Sequence, residues 1–270
     1  MFAPDRPVHF TRQSPSVHNG LKGLRLLCIS AMAWAVSGCS LLQTESFNFQ
    51  AELPENFTIS ATTYYDAASG ESCPGHKVIK SDQPKGTQLI ELKLPLTEKV
   101  KGCSRVLKSV VLNIKGRWGE RELDIGLQRG ALYIRDEPTE TTRPFPASGP
   151  LVFLGQCQWF FRTMGPYRYI VKVLECRALD ANGVVQKSLM GGSMLRDGLA
   201  GRTVKLVLSV AQKEKPYYRG WWLETAKGWR PCTGLWGTNN EEYCTEPYKF
   251  LESFKMPDGR DCTVYPNCTE

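Results

Sequence analysis

Short stretches in which apolar and polar residues alternate dominate the chain from about residue 50 onward. The segment 88–94 places Ile90, Leu92 and Leu94 on one face of an extended chain and charged residues on the other. Because successive side chains of a strand point to opposite faces, this alternation predicts a half-buried β-strand. The same pattern recurs at Val110, Leu112 and Ile114, at Leu123, Ile125 and Leu127, at Leu132 and Ile134, and at Val204, Leu206, Leu208 and Val210.

No long stretch keeps a helical period, so the predicted fold is mainly β, with antiparallel, sandwich-like sheets. Four prolines and several threonines interrupt the strand pattern over 138–150. Proline removes a backbone donor and disfavours both helix and central strand. We therefore predict a linker there, between an N-terminal β domain (51–137) and a disulfide-rich C-terminal β domain (151–270). The two would be small, disulfide-braced subdomains.

The first 38 residues have the layout of an export signal. Arg12, Lys22 and Arg25 precede the apolar run 26–36. That run is far shorter than the roughly 20 residues that span a bilayer, so we expect a removable signal peptide rather than a membrane anchor.

The apolar run ends in four residues that resemble the lipobox of bacterial lipoproteins: Val36, Ser37, Gly38 and Cys39. The resemblance implies cleavage before Cys39, diacylglycerol and palmitate on that cysteine, and a short lipidated tether over 39–50. Ser40 follows where an aspartate would favour the inner membrane, which implies the outer membrane, facing the periplasm. The alternative is an ordinary signal cleaved near residues 31–35, which would leave Cys39 as a thiol.

Ten cysteines occur in the chain, and cysteine parity favours lipidation. Loss of Cys28 with the signal and lipidation of Cys39 leave an even set, namely Cys73, Cys103, Cys157, Cys176, Cys232, Cys244, Cys262 and Cys268. Disulfides suit an exported protein. No Cys-x-x-Cys spacing is present, which disfavours a structural zinc site.

Sequence alone does not select among the possible cysteine pairings. One pair has a geometric argument, because Cys157 and Cys176 flank two β-prone stretches around a turn at 164–167 and would face each other across a hairpin. Proximity in sequence suggests the remaining pairs: Cys73 with Cys103, Cys232 with Cys244, and Cys262 with Cys268. A second hairpin is predicted around Pro257–Gly259, between Phe254 and Tyr265.

The net charge disfavours nucleic acid as a partner. The whole chain carries +7, and residues 1–38 hold four of the basic residues and one acidic residue, so the remainder carries +4. A mild excess of positive charge permits contact with acidic lipid or protein. It is smaller than the concentrated basic charge that is typical of proteins that bind nucleic acid.

Candidate catalytic chemistry is sparse. After residue 38 the sequence contains a single histidine, His76, in a setting that favours a disulfide loop over a catalytic triad. No phosphate-binding loop or nucleophile-elbow motif is present, and we expect no cofactor, no metal and no enzymatic activity. A glycan hydrolase that works without histidine is the enzymatic alternative, with Glu224 as acid and Asp180 or Glu175 as its partner.

An aromatic and basic segment lies between residues 213 and 236. Its candidate binding residues are Tyr217, Tyr218, Arg219, Trp221, Trp222, Trp229, Arg230 and Trp236. Aromatic faces and arginine are suited to recognition. The alternative is that tryptophans form a small core, and because Trp221 and Trp222 would point to opposite faces of a strand over 221–224, one of the two should be buried.

These features predict a membrane-anchored binding module of the bacterial envelope. The layout resembles the lipoprotein immunity proteins of type VI secretion systems, and this resemblance implies a protein partner, a periplasmic toxin whose active site the protein would cover. The competing hypothesis is an envelope protein that binds peptidoglycan or another surface glycan through the tryptophan-rich segment.

Overall fold

The computed structural model describes residues 45–80, 88–233 and 244–268. Regular structure within these ranges is entirely β, which confirms the predicted fold class. The nineteen strands described, numbered in chain order, are β1 (Ser46–Glu52), β2 (Phe57–Ala67), β3 (His76–Lys80), β4 (Leu89–Pro95), β5 (Thr97–Val100), β6 (Cys103–Arg117), β7 (Ile125–Arg135), β8 (Thr142–Arg143), β9 (Leu151–Met164), β10 (Tyr169–Leu179), β11 (Val185–Leu189), β12 (Gly191–Leu195), β13 (Thr203–Val210), β14 (Lys215–Pro216), β15 (Trp222–Thr225), β16 (Gly228–Thr233), β17 (Lys249–Phe250), β18 (Phe254–Lys255) and β19 (Asp261–Cys262).

Two large sheets and one small sheet contain these strands. The first large sheet has the order β19-β18-β10-β9-β13-β1-β4, with β11 added to β10 and β14 to β9. The second has the order β3-β2-β6-β7-β12-β8, with β5 added to β6, and the small sheet is β15-β16-β17. Buried side chains of the two large sheets form one hydrophobic cluster, which we call the sandwich core.

Both large sheets are mixed, because parallel pairs accompany the expected antiparallel ones. In the first sheet β1 pairs antiparallel with β4 and parallel with β13, so that Phe49 lies between Leu92 and Val204. Phe47 and Phe49 are fully buried in this strand, which lies next to the edge strand β4. The predicted tether over 39–50 is therefore wrong from Ser46 onward, since those residues form β1.

The alternating patterns identified the inward faces of several strands correctly. The core positions of β6 and β13 are buried at Val110, Leu112, Ile114, Val204, Leu206 and Leu208. In β4, Ile90 and Leu94 are buried, and Leu92 packs against the sandwich core while half-buried. These strands contribute most of the aliphatic interior of the sandwich.

The inward face predicted from Leu123 and Leu127 is wrong, since Leu123 precedes β7 and Leu127 lies on the outward face of that strand. Leu123 and Leu127 are 85% and 68% exposed. The inward position between them is Gly126, where an added Cβ would lie 2.5 Å from Leu174 Cβ and 2.6 Å from Trp159 Cζ3. A glycine at this position makes room for a large side chain of the facing sheet, which is the reason for the reversal.

The predicted linker over 138–150 is also wrong. The described residues belong to one compact unit, and β1 and β4 share the first sheet with β9. Within the segment, β8 pairs with β12, the Arg143 guanidinium lies 5.1 Å from the ring centre of Phe153, and Phe145 packs against the sandwich core. Prolines over 138–150 thus mark a connection that packs on the sandwich, not a boundary between domains.

A second hydrophobic cluster forms where the β9–β10 hairpin extends beyond the sandwich core. It consists of Phe161, Ile170, Trp222, Phe254, Cys262, Tyr265 and Cys268, and we call it the aromatic cluster. Neighbouring inward positions of the same two strands belong to the sandwich core, at Trp159 and Leu174. The division between the two interiors therefore crosses β9 and β10.

The four disulfides join the pairs that proximity and hairpin geometry predicted. They are Cys73–Cys103, Cys157–Cys176, Cys232–Cys244 and Cys262–Cys268. Cys157 lies directly opposite Cys176 in the β9–β10 ladder. The second predicted hairpin is also present, with Phe254 opposite Cys262.

Candidate functional site

A groove opens beside the aromatic cluster, and we call it the aromatic groove. Its cavity volume is about 1000 Å³. The buried part of its lining includes Phe161, Trp222 and Tyr265. Exposed residues of the lining include Lys213, Lys215, Arg219 and Glu224. The groove therefore combines an apolar interior with a charged, solvent-facing edge.

Ring contacts centred on Phe161 build the interior of the groove. The ring centre of Phe161 lies 4.2 Å from that of Tyr265, 5.0 Å from that of Trp222 and 6.1 Å from that of Trp229. Edge-to-face and tilted pairs at such distances add about 0.5–1.5 kcal/mol each beyond the burial of their area. Phe161 is at the end of the long strand β9, so the hairpin fixes the position of this ring assembly.

A charged network lies at the junction of the two interiors. Lys172 Nζ donates to Glu214 Oε1 at 2.6 Å, and the Tyr265 hydroxyl donates to Glu214 Oε2. Lys172 lies at an inward position of β10, between Ile170 of the aromatic cluster and Leu174 of the sandwich core. Its ammonium lies 5.4 Å from the ring centre of Trp118. The network therefore neutralises a mostly buried lysine.

The pKa of Tyr265 is raised well above its ordinary value. Burial is the largest cause, followed by the negative charge of Glu214 and the hydrogen bond to its carboxylate. The protonated phenol is consequently a stable donor to Glu214 across the physiological pH range. The network can thus hold Glu214 in one orientation at the groove.

A smaller cleft of about 380 Å³ adjoins the groove and shares Lys172, Met256 and Tyr265 with it. Asp124 lines this cleft and is 2% exposed. Burial raises the pKa of Asp124, but hydrogen bonds from Arg121 lower it by more, so the net pKa lies below its ordinary value. Arg121 Nη2 donates to Asp124 Oδ1 at 2.7 Å. The cleft therefore contains an ionised, paired carboxylate.

Two exposed tyrosines and a half-buried tryptophan continue from the edge of the groove, and we call them the aromatic ridge: Tyr217, Tyr218 and Trp221. Tyr217 and Tyr218 are 42% and 38% exposed. Tyr218 stacks on Trp221 with ring centres 4.5 Å apart, and Tyr217 meets Tyr218 edge-on at 4.9 Å. The Arg162 guanidinium lies 5.5 Å from the Tyr217 ring centre. These contacts hold the rings of the ridge in a fixed arrangement.

The structure brings together most of the binding residues predicted from sequence. Arg219, Trp222 and Trp229 line the groove, whereas Tyr217, Tyr218 and Trp221 form the ridge. Of the adjacent tryptophans, Trp222 is the buried one, at 5% exposure. Arg230 is not part of the groove lining, and its guanidinium lies 4.2 Å from the Phe250 ring centre. Trp236 lies outside the described residues.

The carboxylate pairs suggested for a hydrolase are not assembled. Glu224 lines the groove, but neither Glu175 nor Asp180 does. Glu175 accepts from Arg177 Nε at 2.5 Å. Asp180 accepts the backbone N–H groups of Asn182 and Val184, each at 2.9 Å, which makes it part of its own turn. The proposed partnership of Glu224 with either residue therefore has no geometric support.

His76 and the nearby cysteines lie away from the groove. His76 Nδ1 is 2.5 Å from Glu98 Oε1. Among the described residues, Glu71, Cys73 and Cys103 are close enough to form a metal site. However, Cys73 and Cys103 are bonded to each other, so their sulfur atoms are not free thiolates.

Sequence reasoning missed Lys172, Glu214 and Tyr265. A signal for Lys172 was present, because Ile170 and Leu174 occupy the same face of β10 and are both buried. A lysine between two inward apolar positions requires a carboxylate partner when buried. The partner itself could not be identified from spacing, since Glu214 and Tyr265 are distant in sequence.

Nowhere in the described ranges is there a helix with the length and apolar character needed to cross a bilayer. Comparison with protein-family models, with curated proteins and with solved structures returned no match.

Proposed function

We propose that the chain is a lipid-anchored, non-catalytic binding protein of the bacterial envelope that captures its partner in the aromatic groove. The observation that carries this proposal is the groove of about 1000 Å³, with buried rings inside and charged residues at its edge. Concave sites with an apolar lining and a few polar groups are typical of ligand-binding sites.

The hydrogen bonds of the groove carboxylates favour binding over catalysis. Glu214 is committed to Lys172 and Tyr265. The other carboxylate in the described lining, Glu224, lacks the partners suggested for it. A glycosidase needs two carboxylates on opposite sides of the scissile bond, one of which donates a proton. Both oxygens of the Glu214 carboxylate already accept hydrogen bonds within the protein, so this arrangement supports a binding role.

Disulfide pairing supports the lipid anchor. The eight cysteines after Cys39 pair with one another. Once Cys28 is lost with the signal peptide, a thiol at Cys39 would therefore have no intramolecular partner in an oxidising compartment. Lipidation of Cys39 resolves this odd cysteine and agrees with the lipobox resemblance at 36–39.

A protein partner is the first candidate for the ligand. The aromatic ridge and Arg219 are of the residue types that dominate the energetics of protein interfaces. In the role that the immunity-protein resemblance implies, ridge and groove would cover the active site of a periplasmic toxin. Binding alone would then inactivate the toxin.

A surface glycan is the second candidate, and the shape of the groove favours it. Trp229 is half-buried in the groove lining and presents an aromatic ring to a concave space. Aromatic faces stack on sugar rings, and nearby carboxylates such as Glu224 accept hydrogen bonds from hydroxyl groups.

The experiment compares the full-length chain with Trp229→Ala, Arg219→Glu and Cys39→Ser variants, purified by affinity from envelope extracts. Tyr248→Ala is the control, because Tyr248 is an aromatic residue that is 40% exposed and lies outside the groove lining. We expect an acylated N-terminal Cys39 peptide by mass spectrometry and one stoichiometric secreted protein. Its recovery should fall about tenfold with the two groove variants and stay unchanged with the control.

Other outcomes separate the alternatives. Sedimentation with isolated cell walls, lost in Trp229→Ala, would move the assignment to glycan binding. Glycan cleavage that disappears in a folded Glu224→Gln variant would overturn the non-catalytic role. A mature N-terminus beyond Cys39 would overturn the lipid anchor.

A further inference from the structure

The outward face of the second large sheet carries a trough that shares no lining residue with the aromatic groove, and we call it the tyrosine trough. Its cavity volume is about 1060 Å³. Small residues form a row across four adjacent strands, each pairing with the next: Thr62, Val111, Ala131 and Gly191. Neighbouring strands are about 4.8 Å apart, so the row is roughly 14 Å long.

Taller side chains flank this row on both sides. Tyr64 and Tyr133 lie in the next register row, separated by Ser109, and are 40% and 44% exposed. On the opposite side Asn113 pairs with Arg129. The row of small residues is thus the bottom of a channel that crosses the strands, with rings on one side and an amide and a guanidinium on the other.

Aliphatic residues lie toward the two ends of the channel. Ile79, which pairs with Thr62, is 64% exposed, and Leu189 is 49% exposed. Both residues line the trough together with Val111. Exposed aliphatic side chains around a concave, tyrosine-flanked channel favour a polypeptide ligand, because a polysaccharide or a layer of lipid head groups offers no aliphatic side chains in return.

The charge of this face is strongly basic. Lys77 and Arg129 line the trough, and Lys115 occupies an exposed position of the same sheet face, opposite Leu127. Within the described part of the chain, these three cations form no ion pair. The carboxylate in the described lining is Asp180, whose oxygens accept hydrogen bonds from its own turn.

We propose that the tyrosine trough docks an acidic segment of a second protein. An apolar side chain of that segment contacts Val111 and Ala131 at the bottom of the channel, beside the tyrosines, and its carboxylates face Lys77 and Arg129. Complementary charge sets the orientation and speeds the encounter, while the tyrosine contacts supply most of the affinity. The site is separate from the aromatic groove, so this inference does not rest on the function proposed for the groove.

The test uses a displayed library of random twelve-residue peptides, selected against the immobilised full-length chain. We expect enriched peptides that combine a net negative charge with an aromatic or aliphatic residue. A synthetic peptide with the enriched sequence is then titrated against the protein. Arg129→Glu and Tyr133→Ala should each weaken its binding about tenfold, and raising the salt concentration should weaken it further.

Matched variants keep the result interpretable. Lys93→Glu reverses an exposed charge on the first sheet, and Trp229→Ala alters only the aromatic groove. Neither should change the affinity of the peptide. Tyr133→Phe keeps the ring and should bind nearly as well as the wild type, which distinguishes a docking role from loss of folding. Circular dichroism and thermal melting verify that each variant is folded.

The remaining outcomes all contradict the proposal. The proposal is contradicted when acidic peptides do not become enriched. It is also contradicted when the affinity of the enriched peptide is the same for Arg129→Glu as for the wild type. Vesicles of phosphatidylglycerol or soluble polygalacturonate form two parallel arms. Binding of either with Arg129 dependence, without acidic peptides, would assign the trough to a lipid surface or an anionic glycan. A concentration-dependent dimer abolished by Tyr133→Ala would assign it to a second copy of this chain.

Discussion

The sandwich core and the aromatic cluster maintain their structure in different ways. The sandwich core rests on long ladders, since β6 has 15 residues and β9 has 14. Beside the aromatic cluster, β14, β17, β18 and β19 have two residues each. Two of the four disulfides, Cys232–Cys244 and Cys262–Cys268, lie in this C-terminal region. In this C-terminal region, disulfides and ring contacts stabilise the structure, whereas in the sandwich the hydrogen-bonded strand ladders do so.

This difference indicates unequal local stability. Regions with few ladder hydrogen bonds open at lower free energy than regions with many. The aromatic groove lies on the less regular side, where ligand-binding elements are commonly found. We therefore expect the aromatic cluster to unfold locally before the sandwich, and four experiments test this expectation.

The largest effect is expected for Phe161→Ala, which removes the central ring of the aromatic cluster. Deletion of a buried phenylalanine side chain costs about 3–5 kcal/mol in unfolding free energy. Hydrogen exchange should become fast in β15, β16 and β18 while β6 and β13 stay protected. The control is Phe153→Ala in the sandwich core, which should lower protection in both sheets. Equal loss of protection in β6 for the two variants would contradict separate stabilities.

Removal of one C-terminal disulfide should have the next largest effect. In a Cys262→Ser, Cys268→Ser double variant, we expect a loss of about 2 kcal/mol, because the bond closes a short loop. Proteolysis should then cut within 254–268 before it cuts elsewhere. The matched variant, Cys157→Ala with Cys176→Ala, lies in a long ladder and should create no new cutting site. Early cleavage inside β9 or β10 would show that the strand ladder alone does not protect this hairpin from proteolysis.

Asp124 tests the contact between the two regions through its pH dependence. Arg121 pairs with Asp124 and donates from Nη1 to the Pro257 carbonyl oxygen at 3.3 Å, which links the sandwich side to the C-terminal hairpin. Because the folded pKa of Asp124 is lowered, its contribution is present above about pH 4 and is lost as the pH falls below that value.

Replacement of Asp124 by asparagine should therefore cost about 1–2 kcal/mol at pH 7 and less as the pH falls toward 2. Urea unfolding at both pH values measures the difference. Glu122→Gln, a change at an exposed neighbour, is the control and should leave both curves unchanged. A deficit for Asp124→Asn that persists at pH 2 would mean that packing, rather than charge, is responsible.

The smallest effect is expected for Tyr265→Phe. The raised pKa of Tyr265 means that its contribution is present below about pH 10 and is lost as the pH rises above that value. Loss of the hydroxyl should cost about 1 kcal/mol at pH 7 and should flatten the decline in stability at alkaline pH. Tyr248→Phe, at an exposed tyrosine, should keep the wild-type slope. An unchanged slope in Tyr265→Phe would place the alkaline sensitivity elsewhere.

Much of the fold could be predicted from alternation and cysteine spacing. Leu112 and Leu206 sit on the predicted inward faces, and Cys157 faces Cys176 as the hairpin requires. Alternation identifies a face but not a neighbour, so the parallel pairing of β1 with β13 had no local signal. The exposed Leu127 shows the other limit, because the need for a glycine at position 126 comes from Leu174 and Trp159 of the facing sheet.

The candidate site was predicted in part for a similar reason. Clustering of aromatic residues identified Trp222, Trp229 and Arg219 as a group. It could not reveal that Glu214 meets Lys172 and Tyr265, since these contacts join three separate segments of the chain. Long-range polar contacts depend on the packing of the whole domain, which a local pattern does not encode.

The start of β1 at Ser46 limits the length of chain between Cys39 and the folded sheet. Ser46 is seven positions after Cys39 in the sequence, and a fully extended chain advances about 3.5 Å per residue. If Cys39 carries the lipid, the chain between Cys39 and Ser46 is at most about 25 Å long, which is less than the thickness of a bilayer. The folded protein would then stay within a thin layer beside the membrane, and its partner would have to enter that layer to bind.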